Sequence, residues 1–204
     1  MSARIAPAER PYATDMEEIL ARVMPPGVEP LLLFRTNARD QRLFRRFMAG
    51  GLLDKGTLSL REREIAIDRT CARCGAKYEL GVHIAFFAER VGFGAAERRA
   101  LVTPDAAAAC WSGREHLIVR LVDRLHETAD IDDALWRELA AEFRDEQLIE
   151  LIMLAGSYHM VSFLTNALRL PSESYAARFA APEAAQDEKN ARRKAGQVLE
   201  VGER

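Results

Sequence analysis

Residues 58–94, LSLREREIAIDRTCARCGAKYELGVHIAFFAERVGFG, constrain this chain more than any other stretch, because they spell two helices forced apart by one glycine. Ser59 and Glu62 have capping-box spacing: the serine hydroxyl accepts from the Glu62 N–H, and the Glu62 carboxylate accepts from the Ser59 N–H. A helix running toward Cys71 follows, with Ile65, Ala66 and Cys71 on one face and Glu64 at its border. Gly75 is placed to stop that helix just past Cys74. The apolar run from Leu80 to Val91 restarts with helical spacing and ends at Gly92. On this second helix Glu79 and His83 stand four apart, one above the other, with Tyr78 beside them. A carboxylate raises a neighbouring imidazole pKa and burial lowers it, so such a pair titrates near neutral pH and can move protons. The plain alternative is an exposed Glu/His pair on a helix surface.

The segments REREIAIDRT and CGAKYELGVH resemble the carboxymuconolactone decarboxylase and alkylhydroperoxidase D-like family, over roughly residues 30–170. The resemblance implies an all-helical helix-turn-helix scaffold in which Glu64 on the first helix and His83 on the second hold functional positions. In the peroxidase branch a Cys-x-x-Cys pair opens the second helix, its second cysteine four residues before the histidine; those positions here are Ala76 and Glu79. The decarboxylase-like branch carries a Tyr-Glu-Trp-type segment, and Tyr78-Glu79-Leu80 is similar, with leucine in place of the tryptophan. The implied activity is a lyase-type acid/base reaction on a lactone or oxo-acid. His83 and Glu79 would exchange protons with this small-molecule substrate, Tyr78 would orient it and Glu64 would fix the imidazole. The resemblance further implies a homo-oligomer: a trimer, a hexamer or a dimer.

Cys71-Ala72-Arg73-Cys74 is a second Cys-x-x-Cys, displaced from the peroxidase position. As a redox pair, one thiolate would attack a peroxide and the other would resolve the sulfenic acid as a disulfide. Both lie at a helix C-terminus, where the dipole disfavours a thiolate, while Arg69 and Arg73 supply offsetting charge. Two thiols packed in a core are the equal alternative. A zinc site is not expected, since no second Cys-x-x-Cys or His pair follows at ligand spacing. A third reading, from another class, is a non-catalytic oligomeric binding protein that keeps the scaffold.

With 204 residues, 49% hydrophobic and 29% charged, the chain is long enough for one domain with a substantial core. A formal net charge of -2 without a basic patch argues against nucleic acid as a partner. No leader pattern and no apolar run of bilayer length stands out, so no membrane partner is expected. Three cysteines fit a reducing cytoplasm. Neither a phosphate-cradling glycine loop nor a dinucleotide fingerprint occurs, so no cofactor is expected.

Residues 1–29 read as an arm and a short helix capped by Thr14 or Asp15, turning at Pro25-Pro26-Gly27. Residues 31–48 read as one helix with Phe34, Leu43 and Phe47 inward and Arg42, Arg45 and Arg46 on a solvated face. Farther on, Leu117, Val119, Leu121, Val122 and Leu125 share a broad apolar face, Trp136 and Leu139 point inward, and Cys110 is structural. His116 and His126 take solvated or capping roles. Residues 145–170 are apolar nearly all round, which predicts the buried central helix. Its Tyr158, His159 and Asn166 either line one pocket with Glu79 and His83 or pair within the core. Residues 171–204 form a charged tail that, with the N-terminal arm, can wrap a neighbouring subunit. No stretch alternates like a strand, so the fold class is all-α, a compact helical bundle. Sedimentation at micromolar concentration should find an assembly larger than the monomer; a monomer would contradict the implied oligomer.

Overall fold

The computed structural model describes residues 3–52, 54–103 and 110–177. Among them the chain is helical without a strand: α1 (Thr14–Val23), α2 (Leu32–Asn37), α3 (Gln41–Gly50), α4 (Leu60–Arg73), α5 (Lys77–Phe87), α6 (Ala95–Val102), α7 (Gly113–Thr128), α8 (Asp133–Glu142) and α9 (Asp145–Ala167).

The hub is α4, which packs against α5, α6, α7 and α9. It opens on the Ser59/Glu62 capping box. Every residue from Glu64 to Cys71 is buried, although this helix is among the most charged in the chain. Charges survive burial only when paired, and its arginines are. Arg69, 1% exposed, clasps Asp123 with two bonds of 2.7 and 2.8 Å. The same guanidinium donates to the Ala100, Leu101 and Thr103 carbonyls, closing the C-terminus of α6. Arg61 reaches Glu115 and the Val91 carbonyl, and Arg63 reaches Glu150 and the Leu52 carbonyl.

The end of α4 sets the direction of α5. Gly75 has φ +62°, the Gly75 N–H donates to Ala72 O and the Ala76 N–H to Cys71 O, together a Schellman motif. A side chain at Gly75 would be strained in that conformation. On α5, Gly81 is required for space, since a Cβ there would lie 2.7 Å from the Ala177 carbonyl oxygen. The Ala177 N–H donates to Gly81 O, and Glu173 accepts from the Leu32 N–H at 2.7 Å. Residues 171–177 therefore strap α5 to the start of α2. The N-terminal arm is tied down as well: the Arg4 N–H donates to Leu168 O and the Ala8 N–H to Arg35 O, with Tyr12, Met16 and Leu20 buried. The charged tail beyond residue 177 and the alanine-rich loop at 104–109 lie outside the described residues.

Several expectations need correction. The single helix over 31–48 is two, because Asp40 accepts from the Leu43 N–H and recaps the chain as α3. The restart changes the helical phase: Phe44 is fully buried, Phe47 half-buried, and Leu43 exposed. Helix α1 is preceded by Ala13 without a side-chain cap, so neither Thr14 nor Asp15 caps it. Trp136 is exposed while Leu139 is buried. In α9, Leu148, Leu151 and Leu154 are buried, but Ile149, Ile152, Met153, Met160 and Phe163 are exposed, so one face is covered rather than all of it. By length and composition α9 is also apolar enough to cross a membrane, contrary to the sequence reading. Its covered face packs on α4 and α5, the position of a core helix.

Truncating Phe44 to Ala should destabilise the fold by about 3–5 kcal/mol, whereas Leu43→Ala should change it by no more than about 0.5 kcal/mol. Equal losses in urea melts would contradict the phase set by Asp40.

Candidate active site

The site lies where α4, α5 and α9 meet. The capping box sets the phase of α4 so that Glu64 and, one turn later, Asp68 face α5, and both are buried. His83, also buried, comes from α5, and its Nδ1–H donates to Glu64 Oε2 at 2.8 Å. One turn before it, Glu79 Oε1 lies 3.4 Å from His83 Nε2. The imidazole is thus held between two carboxylates, with Glu64 rather than Glu79 as the closer partner that fixes its orientation. Phe87 lies against the ring at 5.4 Å between centroids, and Tyr158 of α9 meets it edge-on at 5.1 Å.

Burial by itself would lower the His83 pKa, but Glu64 and Glu79 outweigh it and hold the imidazole well above its usual value of 6.5. Asp68 moves the other way for a carboxyl. Burial drives its pKa well above 3.8, and the neighbouring Glu64 and Glu79 charges reinforce that against the pull of His83. Burial, with the same two carboxylates, also raises the Tyr158 hydroxyl. The resting site therefore favours the imidazolium form of His83 and the protonated form of the Asp68 carboxyl relative to the free side chains. Two of its buried oxygens, Asp68 Oδ1 and Glu79 Oε2, have no hydrogen-bond partner among the described residues.

Glu64, Glu79, His83 and Tyr158 border a cavity of about 800 Å³. Its walls include Leu33, Phe34, Phe86 and Phe87, while Arg22, Lys55 and Arg90 border it as exposed cations. Apolar walls around a few convergent polar groups are the usual make-up of a small-molecule site.

No family model and no curated protein matches the sequence significantly. Solved structures do match it in shape. An uncharacterised peroxidase-related protein from Silicibacter sp. superposes with a TM-score of 0.73 at 16% identity, covering 84% of this chain and 92% of that one. An alkylhydroperoxidase AhpD core protein from Ralstonia eutropha, also described as peroxidase-related, gives 0.75 at 17% identity over 84% and 93%. The chain has the alkylhydroperoxidase D-like fold. The debrominase Bmp8, as a Cys-to-Ala variant in complex with 2,3,4-tribromopyrrole, matches with a TM-score of 0.66 at 18% identity over 92% of this chain and 98% of that one.

Within this alkylhydroperoxidase D-like fold, Glu64, Glu79 and His83 converge. Tyr78 does not join them: its hydroxyl donates to Glu173 and accepts from the Leu33 N–H, fastening α5 to α2, and it does not line the cavity. Among the described residues the tyrosine that borders the cavity is Tyr158. Asp68 is the residue that sequence reasoning missed, although its position one turn after Glu64 is the same i, i+4 signal that exposed the Glu79/His83 pair.

The thiols sit apart from the cavity. Cys71 is buried and free, and burial, with Glu79 and Asp68 adding to it, pushes its thiol well up. Cys74 is half-buried and free, and burial raises its thiol against a smaller opposing effect of Ser162 and Arg73. His159 and Asn166 do not reach the cavity either. Asn166 Nδ2 donates to the Cys74 carbonyl, and His159 Nε2 lies 3.0 Å from His126 Nδ1. His126 is therefore neither solvated nor a helix cap. Two sets of side chains bring potential metal-ligand atoms within 4.8 Å of one another: Glu64, Asp68 and His83, and separately Cys74, His126 and His159.

The folded site retains protons that the unfolded chain releases. The His83 contribution to stability is full below pH 6.5 and is lost as pH rises through its folded value, and a protonated Asp68 likewise weakens the fold as pH rises above 3.8. Urea melts run upward from about pH 4 should show stability falling by up to about 1.4 kcal/mol per pH unit for each retained proton, from above 3.8 for Asp68 and from above 6.5 for His83. Asp68→Asn should remove the part of that fall that begins above pH 3.8; an unchanged slope would contradict a raised Asp68 carboxyl.

Proposed function

We propose that the chain is an enzyme that uses His83 as an acid/base on a small unsaturated lactone or oxo-acid, a lyase-type reaction of the carboxymuconolactone decarboxylase kind. The observation that carries this is the buried Glu64–His83–Glu79 array bordering the cavity. Arg22, Lys55 and Arg90 supply positive charge for a substrate carboxylate, and the phenylalanine walls suit a flat ring. Because the inner end is carboxylate-rich, it repels an anionic group and favours a hydroxyl, which would satisfy Glu79 Oε2. In a decarboxylation the bond to CO2 breaks into the substrate's own conjugated system. His83 Nε2–H then protonates the resulting carbanion, while Glu64 keeps its bond to Nδ1 and steadies the ring throughout.

The structural neighbours named peroxidase-related keep a thiol-dependent peroxidase in view as the second reading, with Cys71 and Cys74 as its redox pair. Two buried or half-buried thiols with raised pKa values give less thiolate, which favours the His83 reading. A panel of unsaturated lactone acids and oxo-acids tests both. His83→Ala should lower turnover by about 10²–10⁴-fold with the helical fold intact, and Cys74→Ser should leave it within about a factor of two. Peroxide consumption that stops in Cys74→Ser and persists in His83→Ala would overturn the reading.

A further inference from the structure

Three helices far apart in sequence deliver one soft and two borderline donors to a single point at the opposite end of α4 from the acid/base site. Cys74 caps the C-terminus of α4, His126 occupies the last turn of α7 and His159 lies in α9. Cys74 Sγ is 3.8 Å from His126 Nδ1, which is 3.0 Å from His159 Nε2. A tetrahedral ion with bonds of about 2.0–2.1 Å to nitrogen and about 2.3 Å to sulfur separates its donors by roughly 3.3 Å for N–N and roughly 3.6 Å for N–S. The observed N–N edge is about 0.3 Å shorter and the N–S edge about 0.2 Å longer than these lengths, and all three donor atoms lie within 4.8 Å of one another, so small side-chain shifts would seat an ion. We infer that Cys74, His126 and His159 form a binding site for a Zn(II)-class transition-metal ion, with a fourth position left for water or another ligand.

The surroundings support this assignment. His159 Nδ1–H donates to the Ala155 carbonyl at 2.8 Å, which fixes the tautomer and turns the Nε2 lone pair toward the cluster, as outer-shell partners of metal-bound histidines do. Arg73 is an opposing charge beside the cluster, and it is engaged by Asp123 and Glu127. All three donors are half-buried, so an ion can reach them. A Cys/His₂ set suits zinc, cobalt or copper rather than calcium or magnesium. The site is separate from the acid/base array, because Asp68 and Glu64 lie six and ten residues before Cys74 on α4, about 9 and 15 Å along its axis, and none of the three donors borders the cavity. Binding would clamp α4, α7 and α9 together and would take the Cys74 thiol out of any redox pair with Cys71.

Cobalt titration of chelator-treated, reduced full-length protein tests this. One equivalent of Co(II) should bind with a thiolate-to-metal charge-transfer band; the band should vanish in Cys74→Ser, and His159→Ala should weaken binding by more than about 100-fold, beyond the loss of an outer-shell partner. His83→Ala should bind as the unmutated chain does, which keeps this test independent of the proposed enzyme activity. Absence of the band in the unmutated chain, or binding that follows His83 instead of His159, would overturn the assignment. If a ligand variant does not fold, the unmutated protein decides: Zn(II) should slow alkylation of Cys74 by more than about 10-fold and leave Cys110 unaffected, and equal rates for Cys74 with and without zinc would overturn it.

Discussion

The hydrogen bond between Glu64 and His83, 2.8 Å long and buried at the edge of the cavity, is the interaction on which the rest of the architecture depends. Burying an ion pair costs solvation that its own attraction only partly returns, so the pair persists because its neighbours leave it no alternative geometry. Ser59 and Glu62 set the phase of α4, Gly75 sets the reversal into α5, and the 171–177 strap holds α5 through Gly81 and Tyr78. Each feature is local, yet together they hold a carboxylate and an imidazole on two different helices within hydrogen-bond reach.

Charge is distributed by polarity along the cavity. Glu64 and Glu79 border its inner end beside His83, with Asp68 buried next to them, and the raised pKa values of His83 and Asp68 limit the negative charge there. Exposed cations border the same cavity. Such a gradient orients an anionic small molecule with its charge outward, which places its neutral end at His83 Nε2. Tyr158 and Phe87 both pack against the imidazole, which steadies the ring as it gains or loses a proton.

What was legible in the sequence follows from the range of the physics involved. Capping boxes, the glycine stop and the Glu79/His83 stacking are rules over three or four residues, and Ser59, Gly75 and His83 obey them. The family resemblance supplied Glu64, the partner on the other helix. The choice between Tyr78 and Tyr158 depended on how α9 and the 171–177 strap pack, which no local pattern encodes. The burial of α4 was hidden for a related reason: Arg69 reads as a surface residue until Asp123, fifty-four positions away, clasps it. His126 and His159 looked unrelated because ligand spacing was sought along the chain, whereas the fold brings them together from separate helices. In α9 the apolar residues covered both faces, so composition could not tell the packed face from the exposed one.

The central claim is that His83 rests as an imidazolium shared between Glu64 and Glu79. Nitrogen NMR of the protein labelled at the histidine ring nitrogens reads that state directly, with His83→Ala giving the assignment. Through pH 7 the account predicts protons on both His83 nitrogens, with Nδ1–H shifted by its short bond to Glu64 and titration displaced well above the usual 6.5. A neutral His83 at pH 7, carrying one proton and titrating at or below 6.5, would contradict it.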